Sequence, residues 1–147
     1  MGEHMSESEK VVYTGHFLLD PQELLSQLPP QISGEGTTTY AHHVTKEFEP
    51  ADGKEGVTPG RERTLHVTGH VVADGVHAAI VESPDGDAIS TKKHPHITIA
   101  TIQGIPPVRS NDVIARASET GTIMPVEPPI EIKTVEGYFD GETVHTS

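Results

Sequence analysis

The sequence contains no cysteine and no tryptophan, and its other large aromatic residues are three Phe and three Tyr. Without cysteine the chain has neither a disulfide framework nor a thiolate that could attack a substrate or bind a metal ion. The core must therefore be built from Val, Ile, Leu and Ala. A hydrophobic fraction of 33% in 147 residues is enough for one folded domain.

Positive charge is also scarce, since 10 Lys and Arg face 22 Asp and Glu, for a formal net charge of -12 at pH 7. Proteins bind long nucleic acids largely by neutralising phosphates with Lys and Arg, so an extended RNA tract is disfavoured as a substrate. Four of the cations lie close in sequence to two histidine-containing motifs, which are described below. Their positions predict a locally positive pocket for a small anionic ligand. These candidate substrate-binding residues are Lys46, Lys92, Lys93 and Arg109.

No apolar run approaches the roughly 20 residues that a membrane-spanning helix needs. Residues 1–10 are polar and acidic, whereas a secretory signal is basic and then apolar. We therefore expect no contact with a membrane and a cytoplasmic location. The same composition predicts a disordered tail over residues 1–10, followed by a single domain over residues 11–147.

Alternating and apolar stretches predict a chain made mostly of strands. The predicted strands cover residues 11–19, 37–48, 64–74, 77–83, 96–103, 123–126 and 130–139. The dipeptide Asp74-Gly75, between two of them, is a strong hairpin signal.

Two short helices complete the pattern. Asp20 followed by Pro21 begins a helix over residues 22–28, and Ser110 or Asn111 caps a second helix that ends near residue 117. This order of elements predicts an α+β domain with a mostly antiparallel sheet.

Two of the predicted strands carry a histidine and a threonine two positions apart: His43 with Thr45, and His96 with Thr98. Residues i and i+2 of a strand project from the same face, so the members of each pair stand side by side. Two imidazoles can serve as general base and general acid, and two hydroxyls can hold a phosphate. Cleavage of a phosphoester without a metal ion needs this set of groups.

With these motifs the chain resembles the 2H phosphoesterase superfamily, which is named for its paired H-x-T or H-x-S motifs. The nearer likeness is to the cyclic phosphodiesterase domain of fungal tRNA ligases and its viral relatives, including an anti-CBASS branch. The resembling stretches are residues 13–17, 42–50, 95–99 and 107–111. The resemblance implies a compact bilobal domain with pseudo-twofold symmetry and one motif in each lobe.

The activity implied by the resemblance is that of a metal-independent phosphodiesterase, without a cofactor, that hydrolyses a cyclic phosphate or a cyclic nucleotide or oligonucleotide. His43 and His96 are the expected acid-base pair, and Thr45 and Thr98 contact the phosphate; which histidine is the base stays open. The expected partner is a small cyclic nucleotide, favoured by the charge balance, or an RNA end with a 2′,3′-cyclic phosphate. The second partner defines the first alternative, an RNA end-healing enzyme of the tRNA ligase type.

Several other residues are expected outside the site. A third H-x-T, His66 to Thr68, belongs to a long alternation with Thr64 and His70 that is typical of an ordinary half-exposed strand face. Alternation also places His42 on the face opposite His43. The tyrosines are expected to pack within the sheet rather than stack on a base; they are Tyr13, Tyr40 and Tyr138.

The second alternative is a histidine-ligated metal site of the cupin-like kind. The ten histidines include His94 and His96 two positions apart, and His66 and His70 share the predicted face of one strand. A carboxylate at helpful spacing is missing, because the first acidic residue after His96 is Asp112. Two further classes remain open: a non-catalytic nucleotide-binding module, and an acidic protein that mimics nucleic acid.

Overall fold

A computed structural model of the chain describes residues 11–32, 36–50, 57–84, 89–90 and 94–146. The predicted tail over residues 1–10 lies outside the described residues. The elements in chain order are β1 (Tyr13–Leu18), α1 (Pro21–Gln27), β2 (Thr38–Thr39), β3 (His43–Phe48), β4 (Glu62–Ala73), β5 (Val76–Glu82), β6 (His96–Thr101), α2 (Arg109–Thr120), β7 (Met124–Phe139) and β8 (Val144–His145).

The strands form one sheet in the order β2-β6-β5-β4-β7-β1-β3, with β8 beside β7. Every pairing is antiparallel. The predicted α+β class with a mostly antiparallel sheet is therefore confirmed. In this order the two motif strands, β3 and β6, lie near opposite ends.

A single stretch of chain, residues 38–48, brings these two ends together. β2 pairs with β6, and Tyr40 and Ala41 continue this pairing, since their amides donate to the carbonyls of Ile99 and Thr98 at 2.8 and 2.9 Å. The second half of the stretch, β3, pairs with β1. The sheet therefore closes on itself, and β3 contacts β6.

The turn that makes this crossing occurs at Ala41. Its φ of 57° lies in the left-handed region, which an alanine adopts only at a cost in free energy. The side chain of Ala41 is fully buried in the core, and the hydrogen bond from its amide to β6 helps to hold this conformation. The prediction of one continuous strand over residues 37–48 is therefore wrong, because the backbone changes direction between β2 and β3.

Apolar side chains pack on both faces of the sheet. The larger cluster contains Leu24 of α1, Val44 of β3 and Ile97 of β6. The smaller cluster joins Val113, Ile114 and Ala117 of α2 to β4 and β5. Because Val44 and Ile97 point into the larger cluster, their neighbours in the two H-x-T motifs project from the other face, on which α2 packs.

The predicted hairpin at Asp74 and Gly75 is confirmed, since both residues have positive φ values, 50° and 79°, as the tight turn between β4 and β5 requires. The face predicted for Thr64, His66, Thr68 and His70 is wrong, however. The register of β4 shifts between Val67 and Gly69 against both neighbouring strands, so Thr68 is an extra residue. After this bulge His70 is buried, whereas His66 is half-exposed.

Two boundaries near the C-terminal end also differ from prediction. Helix α2 begins at Arg109, ahead of the predicted caps, and ends beside Gly121, whose φ is 70°. The two predicted closing strands form one element, β7, although its pairing with β4 is interrupted over residues 126–129. Within the described ranges, neither helix is long and apolar enough to cross a membrane.

Candidate functional site

Both predicted H-x-T pairs line one pocket of about 400 Å³. His43 and Thr45 come from β3, and His96 and Thr98 come from β6. The other lining residues are Tyr13, Tyr40, His42, Phe48, Pro107, Val108 and Asn111. The closure of the sheet thus assembles, on the α2 face, side chains that are far apart in the sequence.

Gly15 allows the first motif strand to approach β1 closely. A Cβ atom on Gly15 would lie 2.6 Å from the carbonyl oxygen of Val44, closer than such atoms are found in proteins. The register between β1 and β3 also shifts at this point. A larger residue at position 15 would push away the backbone that joins His43 to Thr45, so the glycine helps to set the position of this motif.

His43 contacts two other rings. The ring centroids of Tyr13 and His42 lie 4.8 and 4.6 Å from its own, and both rings are close to parallel with it. Burial, together with the positive charges that His42 and His96 carry when protonated, lowers the pKa of His43 to about 3. At neutral pH His43 is therefore uncharged, the state in which an imidazole can accept a proton.

His96 is oriented by its own strand. Its Nδ1 lies 2.9 Å from the carbonyl oxygen of His94. Because a carbonyl oxygen can only accept, Nδ1 carries the proton and donates it. In the neutral ring, Nε2 is therefore the nitrogen without a proton.

Thr98 is connected to helix α2. Its Oγ1 lies 2.8 Å from Oγ of Ser110, which is fully buried. Ser110 or Asn111 was predicted to cap this helix, but no side chain caps it, and Ser110 contacts the second motif instead. The same Oγ1 lies 3.5 Å from the carbonyl oxygen of Pro107, a long contact, so a Thr98 hydroxyl that accepts from Ser110 can turn its proton from this carbonyl to a ligand oxygen. No local sequence pattern predicts this pair, because it depends on how α2 packs on the sheet.

His42 lies in the pocket, contrary to the prediction from alternation. Its Nδ1 is 2.6 Å from Nδ1 of His43, and the two rings, inclined by 23°, meet nearly edge to edge. Alternation fails here because His42 precedes β3 and directly follows the left-handed residue Ala41. No local sequence signal predicts that conformation at an alanine.

Two tyrosines predicted only to pack within the sheet also line the pocket. Tyr13 stacks on His43, and Tyr40 contacts His42 edge to face, with ring centroids 6.1 Å apart. Tyr138 is buried and stacks on His145 instead. The useful signal for Tyr13 was its place in the resembling stretch at residues 13–17.

Of the four predicted cations, the two that the structure describes, Lys46 and Arg109, are not in the pocket lining. Lys46 alternates away from the site, and its charge adds to the effect of burial in lowering the pKa of His16. Arg109 is exposed at the start of α2, beside the lining but not in it. Lys92 and Lys93 lie outside the described residues. As far as the described residues show, the lining contains no Lys or Arg.

The third H-x-T does not contribute to this pocket. β4 is separated from β6 by β5, and the hydroxyl of Thr68 donates to the carboxylate of Glu82 at 2.7 Å. His66 and Thr68 are absent from the lining. Their place in the middle of the sheet agrees with the expectation that this motif lies outside the site.

The histidines of the alternative metal site are also separated. His66 and His70 lie on β4, and Nδ1 of His70 is bonded to Nε2 of His77 at 3.0 Å. His94 precedes β6 and uses its carbonyl oxygen to orient His96. Among the residues that the structure describes, no three or more His, Cys, Asp or Glu are grouped so that they could hold a metal ion.

No family model matches this chain, and no curated protein matches it either. The likeness to 2H phosphoesterases therefore depends on the motif residues alone. What the site does is inferred below from its own geometry and chemistry.

Proposed function

We propose that this protein is a metal-independent phosphodiesterase in which His43 is the general base and His96 the general acid. One observation carries the proposal: two H-x-T motifs from near opposite ends of the strand order line the same pocket. An unrelated pair of strand histidines has no reason to meet in this way with a hydroxyl beside each imidazole.

The lowered pKa keeps His43 uncharged at neutral pH, the protonation state that a base needs, although it also makes this imidazole a weaker base than a free one. A neutral His43 takes a proton from the attacking water while the water oxygen bonds to phosphorus. His96, protonated at Nε2, gives its proton to the leaving oxygen as the phosphorus-oxygen bond breaks. Thr45 and Thr98 donate hydrogen bonds to the non-bridging oxygens, on which negative charge increases in the transition state.

The size and lining of the pocket favour a small substrate. Its volume of about 400 Å³ lies towards the lower end of the roughly 300–1,000 Å³ typical of small-molecule sites. Tyr13, Tyr40 and Phe48 give it aromatic walls on which a nucleobase can stack. The net charge of -12 also repels a long polyanion. We therefore place a small cyclic nucleotide or short oligonucleotide ahead of long RNA.

A competition assay at fixed ionic strength tests this order. It compares cyclic di- and trinucleotides, nucleoside 2′,3′-cyclic phosphates and a tRNA half that ends in a 2′,3′-cyclic phosphate. We expect the best small substrate to exceed the tRNA half in kcat/KM, with no loss of activity in a chelator. A kcat/KM for the tRNA half that is tenfold or more above that of the small substrates would favour end healing. Turnover that a chelator abolishes would favour a metal site. Tight binding without turnover would favour a binding module.

The bond between Ser110 and Thr98 leads to a second expected result. Ser110→Ala should lower kcat roughly 2- to 12-fold, the equivalent of one hydrogen bond worth about 0.5–1.5 kcal/mol, because Thr98 loses the partner that orients its hydroxyl. Ser26→Ala is the matched control, since that hydroxyl bonds the carbonyl of Glu23 on α1, outside the pocket. Equal rates for both variants would show that the orientation of Thr98 does not matter.

The pH dependence of the reaction follows from the same assignment. With the pKa of His43 lowered to about 3, the base stays neutral as the pH falls from 7 to 5, so kcat/KM should not decline over this range. A general acid must be protonated to act, so the rate should fall towards high pH. The measurement is kcat/KM from pH 5 to 10, with folding followed by circular dichroism. A rate that climbs steadily to pH 10 would indicate hydroxide or another base.

A further inference from the structure

We propose that His42 is a positioning residue for His43 and the exit for its proton. The catalytic meaning of this proposal rests on the function proposed above, although its structural part does not. His42 is exposed, whereas His43 is partly buried beneath it. The two side chains therefore offer a route from the interior of the pocket to water.

The hydrogen bond between the two rings determines which nitrogen of His43 acts as base. Nδ1 of His42 and Nδ1 of His43 are 2.6 Å apart, so one donates and the other accepts. If His43 accepts a proton at Nε2, its own proton is on Nδ1 and is donated to His42. His42 then carries its proton on Nε2, on the far side of its ring.

The comparison with His96 shows what is particular about this arrangement. Nδ1 of His96 donates to the carbonyl of His94, a group that orients the ring but does not take up a proton. The partner of Nδ1 of His43 is instead the imidazole of His42. An imidazole can both orient the ring and receive the proton.

A proton transfer along this route balances. The attacking water gives a proton to Nε2 of His43, Nδ1 of His43 passes its proton to Nδ1 of His42, and Nε2 of His42 releases one to solvent. Both imidazoles end neutral, with their tautomers exchanged. Exchange of their ring protons with solvent water restores the starting tautomers. The route suits His43 because a retained charge there is disfavoured by burial and by the neighbouring imidazoles. The titratable groups in the same lining are Tyr13, Tyr40 and His96.

Two substitutions separate the parts of this proposal. His42→Phe keeps an aromatic ring beside His43 but removes the acceptor. His42→Asn keeps an acceptor oxygen but cannot relay a proton. The tautomer of His43 can be read in the full-length protein from long-range ¹H-¹⁵N spectra of the histidine rings, which do not require activity.

In the native protein we expect His43 to carry its proton on Nδ1 at pH 7. His42→Phe should lose this preference and lower kcat roughly 10- to 100-fold, with KM changed little. His42→Asn should keep the Nδ1-H tautomer and recover part of the rate. In both variants the pKa of His43 should rise, because the positive charge that His42 carries when protonated is removed. His66→Phe, the matched control outside the pocket, should change none of these quantities.

The proposal is overturned if His43 of the native protein carries its proton on Nε2, or if His42→Phe keeps both the Nδ1-H tautomer and the full rate. A phosphodiesterase that is active but insensitive to His42 also overturns it and leaves the proposed function standing. If the tautomer of His43 changes as expected but no phosphodiester is hydrolysed, His42 is supported as a positioning residue and the proposed function fails.

Discussion

Replacing either His43 or His96 by alanine should lower the rate of phosphodiester hydrolysis by roughly 10²–10⁴-fold, the usual effect of losing one general acid or base. Without His43, the attacking water loses the base that is proposed to take its proton. Without His96, the leaving oxygen departs as an unprotonated and less stable anion. The measurement is kcat on the best cyclic phosphate, for variants whose circular dichroism and thermal unfolding match those of the native protein.

The third H-x-T supplies the matched control for this experiment. His66→Ala removes a histidine in the same sequence context from a half-exposed position on β4, outside the pocket. Its rate should stay within a few fold of the native rate. Normal rates in both His43→Ala and His96→Ala would exclude the proposed chemistry, and loss of activity in His66→Ala alone would mean that the wrong motifs had been paired.

The sequence was sufficient to predict the local part of the site. Alternation placed His43 beside Thr45 and His96 beside Thr98, and each intervening apolar residue, Val44 or Ile97, is in the core. Alternation depends only on the geometry of a strand, so it holds wherever the strand is regular. The same rule, with the turn at Asp74-Gly75, was enough for the fold class.

The parts that failed are those where the backbone leaves regular geometry or where distant elements meet. Ala41 adopts a left-handed conformation that its side chain does not favour, and this change placed His42 in the pocket. The extra residue at Thr68 turned His70 into the interior. The contact between Ser110 and Thr98 depends on packing between α2 and β6, which no local pattern encodes.

Lowering the pH from 7 to 4 should strongly destabilise the fold, through buried histidines that lie outside the pocket. Burial, and then the charge of His70, lowers the pKa of His77 to about 4, from 6.5 for a free imidazole. Its Nδ1 accepts from the amide of Gln31 and its Nε2 bonds His70, so the neutral form is fully satisfied. Burial also lowers the pKa of His70 and of His16.

The direction of the effect follows from proton binding. Above pH 6.5 these histidines are mostly neutral in both the folded and the unfolded chain, so they do not lower the free energy of unfolding. Below pH 6.5 the unfolded chain binds protons that the folded chain does not bind. Stability is therefore lost as the pH falls from 6.5 towards 4, and His77 alone accounts for about 3 kcal/mol at pH 4.

Chemical denaturation between pH 7 and pH 4 measures this loss as a slope of the unfolding free energy against pH. His77→Gln should be less stable than the native protein at pH 7 but should show a shallower slope, because it lacks the titrating group. His66→Gln, at a half-exposed position, should keep the native slope. A native protein whose stability does not change over this range would contradict the prediction.

The crossing at residues 38–48 should also allow ligand binding to be measured by hydrogen exchange of backbone amides. The amides of Tyr40 and Ala41 donate to β6, and local opening of these two bonds separates the walls of the pocket. A ligand that contacts β3 and β6 together binds only the closed arrangement, so it lowers the population of the open one. Hydrogen exchange at Tyr40 and Ala41 should then slow as ligand is added, while exchange at the distant turn between β4 and β5 stays unchanged. These two amides would thus report occupancy of the pocket even for a compound that the protein binds but does not cleave.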